Sequence, residues 1–336
     1  PKYGETAQGQ ATGDDFRFVR AFWEIPIKKN SYWKIVAKGG EYSRYYADLH
    51  LVVDWSEGAT IEYKKLTIRS VLISKRKDEF EGRKALVWSR VGKGFNIRAL
   101  PKGSYFSDKA PALFADENSD WLLAFLSSNI IDKICALQNP NRMFELRDVS
   151  NLPVSKQIDQ IKLKKLAFNI FIEKQKWSSR IEPSITYTLP LIIQDNCFSS
   201  LKSCFKNMEE KLSQARSIAE EGQKKIDAIV NDSFGLNEES LNGLNQVSGS
   251  HPEDPFIVAN QNIDHKNITE GLISFLFGCT VGRWDIRISL KPDLLPELPE
   301  PFEPIPVSLP GMLIDPDGLP AKSGSMVSEE WLRSKT

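Results

Sequence analysis

The sequence is short of the residues that most often carry chemistry. Its 336 residues hold only four cysteines and three histidines. Cys135, Cys197, Cys204 and Cys279 form no CxxC pair, and His50, His251 and His265 are scattered, so no metal-ligand spacing exists and no metal site is expected. Cys197 and Cys204 are seven positions apart on an expected helix, about 10 Å along its axis, too far to bridge. That pattern fits reduced thiols and a cytoplasmic protein. No run of 18 apolar residues occurs, which excludes a membrane-spanning helix. The polar, Gly-rich start is not a signal peptide. There is no P-loop, serine elbow, paired-carboxylate glycosidase pattern or nuclease constellation. Net charge is also missing, with Lys+Arg and Asp+Glu both at 44. The first residue is Pro1, not Met, and the expectation is a fragment of a longer chain.

What is present describes an ordinary globular chain, 41% hydrophobic and 26% charged, long enough for about two domains. Charge is uneven along it. Residues 1–150 carry 24 basic and 19 acidic side chains, while the last 44 residues carry 3 basic and 8 acidic. A basic front is compatible with phosphate contact, and equally with ordinary solvated surface.

The front half reads as short strands. Phe16 to Ile27, ended by Pro26, is rich in aromatic and β-branched residues. Trp33–Gly40, Leu49–Val53, Ala85–Val91, Phe95–Leu100 and Ser104–Phe106 follow, the last two separated by a Pro-Lys-Gly turn. Together they suggest an irregular β-rich core. Apolar spacing then predicts one helix over Trp121–Gln138, stopped by Asn139-Pro140, and another over Ile158–Trp177. From Asn196 to Asn231 a heptad seam runs through Phe198, Leu201, Phe205, Met208, Leu212, Ala215, Ala219, Gly222, Ile226 and Ile229. The seam can close a helical hairpin with 158–177 or dimerise. Residues 237–267 read as a polar loop and Ile268–Gly278 as a helix. Nine of the 19 prolines lie between Pro292 and Pro320, which predicts extended packing or linker and not a folded core.

Two motifs come close to methyltransferase chemistry and fall short. Gly92-Lys93-Gly94 lacks the third glycine and the following helix of a cofactor loop, and reads as a turn. Asn139-Pro140-Asn141-Arg142 lacks the second proline and the aromatic that grip a flipped adenine, and reads as a helix stop. Around the glycine turn, Arg90, Lys93, Asn96, Arg98 and Lys102 lie within 13 residues. Arg and Asn read guanine and adenine edges, and Lys suits phosphates. A solvated hairpin is the alternative. Lys28, Lys29, Lys34 and Lys38 form a second basic stretch, either backbone contact or solubilising charge.

Several ordered blocks resemble the C-terminal half of adenine-specific DNA methyltransferases of phage-defence systems, the BREX PglX and DISARM types related to type IIG restriction-modification enzymes. They are Thr12-Gly13-Asp14 with Phe16–Arg20 and Trp23–Pro26, Lys38–Tyr42 leading to Val53–Trp55, and Phe95–Arg98 with Pro101–Ser104 and Leu122–Ser128. Lys225–Val230 with Phe234–Leu236, and Phe277–Asp285 followed by Pro301–Pro306 and Pro310–Leu313, complete the set. Asp15 stands where relatives of that kind often carry Asn. The resemblance implies an α+β chain. Residues 1–155 would be a β-rich target-recognition domain, 156–290 a helical spacer or clamp with the long heptad helix, and 291–336 a Pro-rich extended tail. It implies double-stranded DNA as partner, with Thr12 and Gly13 joining Arg90, Lys93, Asn96, Arg98 and Lys102 at the interface. Catalysis would come from an N-terminal domain outside this chain, which would bind S-adenosylmethionine and methylate adenine N6. No catalytic residue and no cofactor are expected within the chain itself, and any nuclease would also lie outside it. Methylation would mark self DNA for the other defence proteins. The alternative function is a protein-protein assembly module of a phage-defence complex, with incidental DNA binding.

Overall fold

A computed structural model describes residues 3–25, 32–67, 80, 82–194, 200–248, 254, 256, 265–291, 297–306, 309, 311 and 312. Pro26, Lys28, Lys29, Cys197, Phe198 and His251 lie outside these residues. The chain is α+β. Its strands are β1 (Glu5–Ala7), β2 (Val19–Ala21), β3 (Trp33–Ala37), β4 (Leu51–Asp54), β5 (Ala85–Trp88), β6 (Ile97–Leu100), β7 (Tyr105–Phe106) and β8 (Ala112–Phe114). The helices are α1 (Asp15–Phe18), α2 (Glu57–Leu66), α3 (Ser119–Leu126), α4 (Asn129–Gln138), α5 (Leu146–Ser150), α6 (Gln160–Ser178), α7 (Leu191–Gln194), α8 (Leu201–Ser233), α9 (Glu238–Ser248), α10 (His265–Thr280) and α11 (Ile286–Leu290).

Two four-stranded sheets form, in the orders β1-β8-β5-β6 and β2-β4-β3-β7. The first is antiparallel throughout, and β3 pairs β7 in parallel in the second. β5 explains how the layers stack. All four of its residues are buried, and successive side chains of a strand point to opposite faces. Ala85 and Val87 join Ala37, Phe106 and Phe114 in one cluster. Leu86 and Trp88 join the helices in the largest core, with Phe125, Ile170, Phe171, Ile226 and Val230. The sheet is covered on both faces, so its central strand is a continuous apolar run rather than an alternating one. The largest core contains residues from both sides of the 155/156 boundary expected from the sequence.

Four elements differ from the sequence expectation. The segment 16–27 is not one strand. Asp14 accepts from the Arg17 N–H and starts a helical turn, which gives way to the three residues of β2 and then a 3-10 turn at Phe22–Glu24. The 121–138 helix is two helices. Ser127 closes α3, and α4 restarts with the Asn129 N–H donating to Asp227 Oδ1 of α8 at 2.8 Å. That carboxylate, at a helix start, satisfies an N–H that has no intrahelical partner. Within the expected 237–267 loop, Glu238–Ser248 is helical.

The fourth difference is the proline-rich segment, which is no mere linker over its described part. Phe302 is fully buried in the largest core, at φ +73°. Its carbonyl accepts from Lys102 N at 2.9 Å, and the Pro299 carbonyl accepts from Gln175 Nε2 at 3.0 Å. Leu309 and Met312 pack beside Trp284 and Tyr187.

The heptad seam is used within the chain. Its first half, with Cys204, Met208, Leu212 and Ala215, packs on Trp177, Leu191 and Ile192. Its second half joins α6 in the largest core. At Gly222 α8 lies close against α6, where an added Cβ would meet Ile170 at 3.1 Å. The expected hairpin with α6 forms within the chain. A polar node ties α6 to the front of the chain. The buried Lys174 ammonium donates to Ser43 Oγ at 3.0 Å, the Arg44 carbonyl at 2.9 Å and Asp254 Oδ1 at 3.1 Å. Cys135, Cys204 and Cys279 are buried and form no disulfide among the described residues.

Candidate nucleic-acid interface

The glycine turn joins β5 to β6. Asn96 closes it, with Oδ1 accepting from the Ser89 N–H at 2.9 Å and Nδ2 donating to the Glu41 carbonyl at 3.3 Å. This side chain does the work of a missing ladder bond, and Asn96 is only 1% exposed. Arg98 sits on β6 opposite Val87 and is 5% exposed. Its guanidinium donates to the Gly39 carbonyl and to Ser89 Oγ, both at 3.2 Å. Burial pushes it down to about 10, which still leaves it charged at neutral pH. In this arrangement the donors of Asn96 and Arg98 are directed inward to the chain's own oxygens.

Arg90 grips Glu145 Oε1 through Nη2 at 2.6 Å and Nε at 3.0 Å. Lys102 Nζ lies 3.4 Å from Glu303 Oε1. Both reach the surface already paired to acids, and exposed pairs of this kind exchange partners at little cost. Lys93 is exposed at the tip, and its carbonyl accepts from the Arg142 guanidinium. The stop motif at 139–142 therefore braces the turn. Arg142 takes φ +54°, and its carbonyl accepts from Gly92 N at 3.3 Å.

Thr12 and Gly13 belong to a different place, the turn that leads into α1. Thr12 is buried and donates to Asp15 Oδ1 at 2.7 Å. Gly13 takes φ +79°, and a Cβ there would lie 2.6 Å from Leu66 Cβ at the end of α2, so only glycine fits. Asp15 makes an ion pair with Lys38 and lies 3.7 Å from Lys109 Nζ. Partial burial raises the Asp15 carboxyl, but Lys38, the Thr12 hydroxyl and Lys109 outweigh it, and the group titrates below its usual range. Thr12, Asp15, Lys38, Trp55 and Tyr105 line a shallow cleft at this point. Arg17 and Arg20 follow on the surface, neither placed at the interface by the sequence reading. Arg20 Nη1 folds back on the Phe16 and Val19 carbonyls at 2.5 and 2.7 Å, and Arg17 Nη1 lies 3.7 Å from Glu62. The signal that could have found this turn was the capping pattern of Thr12, Asp14 and Asp15 ahead of Phe16.

Nothing in either turn fits S-adenosylmethionine. The glycine turn runs straight into strand β6, and its Gly92 N–H and Lys93 carbonyl are already used by Arg142. Among the described residues no group of three His, Cys, Asp or Glu could hold a metal ion. Among them, too, no helix is long and apolar enough to cross a membrane.

No protein-family model matches the sequence. Two curated relatives do. The chain is 24% identical over 303 residues to the adenine-specific methyltransferase PglX of Lacticaseibacillus casei (strain Zhang), covering 83% of this chain and 24% of that protein. It is 26% identical over 296 residues to the adenine-specific methyltransferase BrxX of Escherichia coli O9:H4 (strain HS), covering 80% and 23%. The resemblance read from the sequence blocks is thus borne out at the level of the family: this chain is related to the adenine-specific methyltransferases PglX and BrxX. It spans about a quarter of the length of either. Among solved structures, the type IIL restriction-modification enzyme MmeI in complex with DNA aligns at a TM-score of 0.45 and 12% identity, over 74% of this chain and 35% of that one.

Proposed function

We propose that this chain is the DNA-recognition part of a SAM-dependent adenine-N6 DNA methyltransferase of a phage-defence or restriction-modification system, and that a domain outside it carries catalysis. The observation that carries the reading is the similarity to two adenine-specific methyltransferases over four fifths of the chain or more. The absence of a methyl-donor loop and of the adenine-gripping motif from the sequence supports a division of labour. On this reading the S-adenosylmethionine-binding domain flips and methylates the base. The present chain holds the duplex through two braced basic turns: Lys93 with Arg90 and Lys102 on one, and Thr12 and Gly13 with Arg17, Arg20 and Lys109 on the other. Asn96 and Arg98 keep the first turn in shape from beneath.

Duplex binding measured by fluorescence anisotropy at two salt concentrations tests this. Affinity falls steeply with salt, and Lys93→Ala weakens binding evenly across sequences while lowering the salt slope by about one. Equal affinity and equal slope for wild type and Lys93→Ala would remove the glycine turn from the interface.

A second reading is a protein-protein assembly module. It has one observation in its favour: Ile273, Leu276, Phe277 and Val281 in and just after α10, with Leu290 in α11, are 48–76% exposed. It expects at most incidental duplex affinity, with no preference among sequences.

A further inference from the structure

Phe16 is 95% exposed, the highest value among the exposed large apolar side chains of the described residues. Scattered exposed apolar residues are ordinary. What sets Phe16 apart is that its exposure is fixed by the structure around it. Phe18, two positions on in the same helical turn, is buried at 4% and meets Tyr63 edge-on at a centroid distance of 4.8 Å. Residues two apart do not share a helix face, so pinning Phe18 inward holds Phe16 outward. The turn beneath is locked by the Thr12–Asp15 bond, the Asp14 cap, the Asp15–Lys38 pair and the left-handed Gly13 against Leu66. An aromatic ring is thereby held in solvent on a rigid mount. Basic side chains lie on the same turn: Arg17 stacks over the Phe18 ring and Arg20 donates to the Phe16 carbonyl, while Lys109 lies 3.7 Å from Asp15.

An exposed apolar ring on a turn that also carries arginines matches a polyanion that also offers flat apolar faces. Duplex DNA has both. We propose that Phe16 is a wedge that enters the base stack of bound duplex DNA, with Arg17, Arg20 and Lys109 on the flanking phosphates. The inference rests on the DNA-recognition reading above and adds to it the element of DNA that this turn engages. Inserted apolar side chains unstack a base step and bend the duplex. The rigid mount matters because a wedge must not fold away when it meets the stack.

The test uses the full 336-residue chain and short duplexes carrying 2-aminopurine at successive internal positions. Wild type, Phe16→Ala and Phe16→Trp are titrated, and fluorescence of the base analogue is read alongside anisotropy. Because Phe16 contacts solvent, its removal leaves folding intact, which far-UV circular dichroism checks. The expected result is unstacking of one position by wild type and Phe16→Trp. With Phe16→Ala that signal is lost and binding is about ten- to a hundredfold weaker. Wild-type binding with equal affinity and equal 2-aminopurine signal for Phe16→Ala overturns the wedge and leaves the DNA reading standing. Absence of wild-type binding at low salt overturns both. A change in oligomeric state on Phe16→Ala, with duplex binding untouched, overturns the wedge in favour of a protein contact.

Discussion

Removing the Arg98 side chain would leave the Gly39 carbonyl and the Ser89 hydroxyl without that donor beneath the glycine turn. Unsatisfied buried acceptors cost about 1–3 kcal/mol. Arg98→Ala is therefore expected to lose about that much stability in urea denaturation, from the lost bonds and the space left behind. Arg98→Met fills the space, removes a buried charge and should lose less. An Arg98→Ala protein of wild-type stability but with lower selectivity among duplexes would instead place the guanidinium on DNA. Residue type and spacing made Arg98 and Asn96 look like base readers because the sequence does not state which face of β6 is covered. The exposure of Lys93 at the tip of the turn was legible because a turn between two glycines projects whatever it carries. Thr12 and Gly13 came to notice through the family resemblance, and the structure supplies their physical roles as brace and left-handed corner. Phe16 escaped because a strand reading gave it no special direction, whereas the Asp14 cap turns the chain and points it outward.

At the scale of elements, the proline-rich segment gives the sharpest test. Phe302→Ala should cost about 3–5 kcal/mol, as for other fully buried phenylalanines, because its ring fills the core shared by β6, α3 and α6. A loss below about 1 kcal/mol in the same denaturation experiment would show that the segment merely lies against the surface. Nine prolines in a short stretch suggest extended chain, and say nothing of one aromatic anchored among them. The helices were legible where amphipathic spacing is strong. α6 and α8 appear close to their expected bounds, and the small side chain of Gly222 sits where the two helices meet. The break between α3 and α4 was hidden because apolar spacing continues through it. Two serines and a carboxylate from a helix about 100 residues away decide it, and no local pattern encodes that contact. β5 was legible as a strand, while its burial on both faces became clear only once the helices were in place.

At the scale of the molecule, net charge zero conceals the arrangement that matters. Many front-half cations are spent on acids: Arg83 on Asp116, Lys84 on Asp120, Arg90 on Glu145 and Lys102 on Glu303. Among the described residues of this half, basic and acidic side chains nearly balance, 17 against 16, and Lys93 at the glycine turn and Arg17 at the α1 turn are among the cations that reach the surface. The glycine turn joins two strands of a sheet whose core continues into the helices, so this turn is mounted on packed structure rather than on a free loop. The most direct measurement is selection of this chain's DNA from a random-sequence duplex pool at low and moderate salt, followed by sequencing of the retained fraction. The account predicts retention that drops with salt and enrichment of a short motif containing adenine. No retention of any duplex at low salt would contradict it.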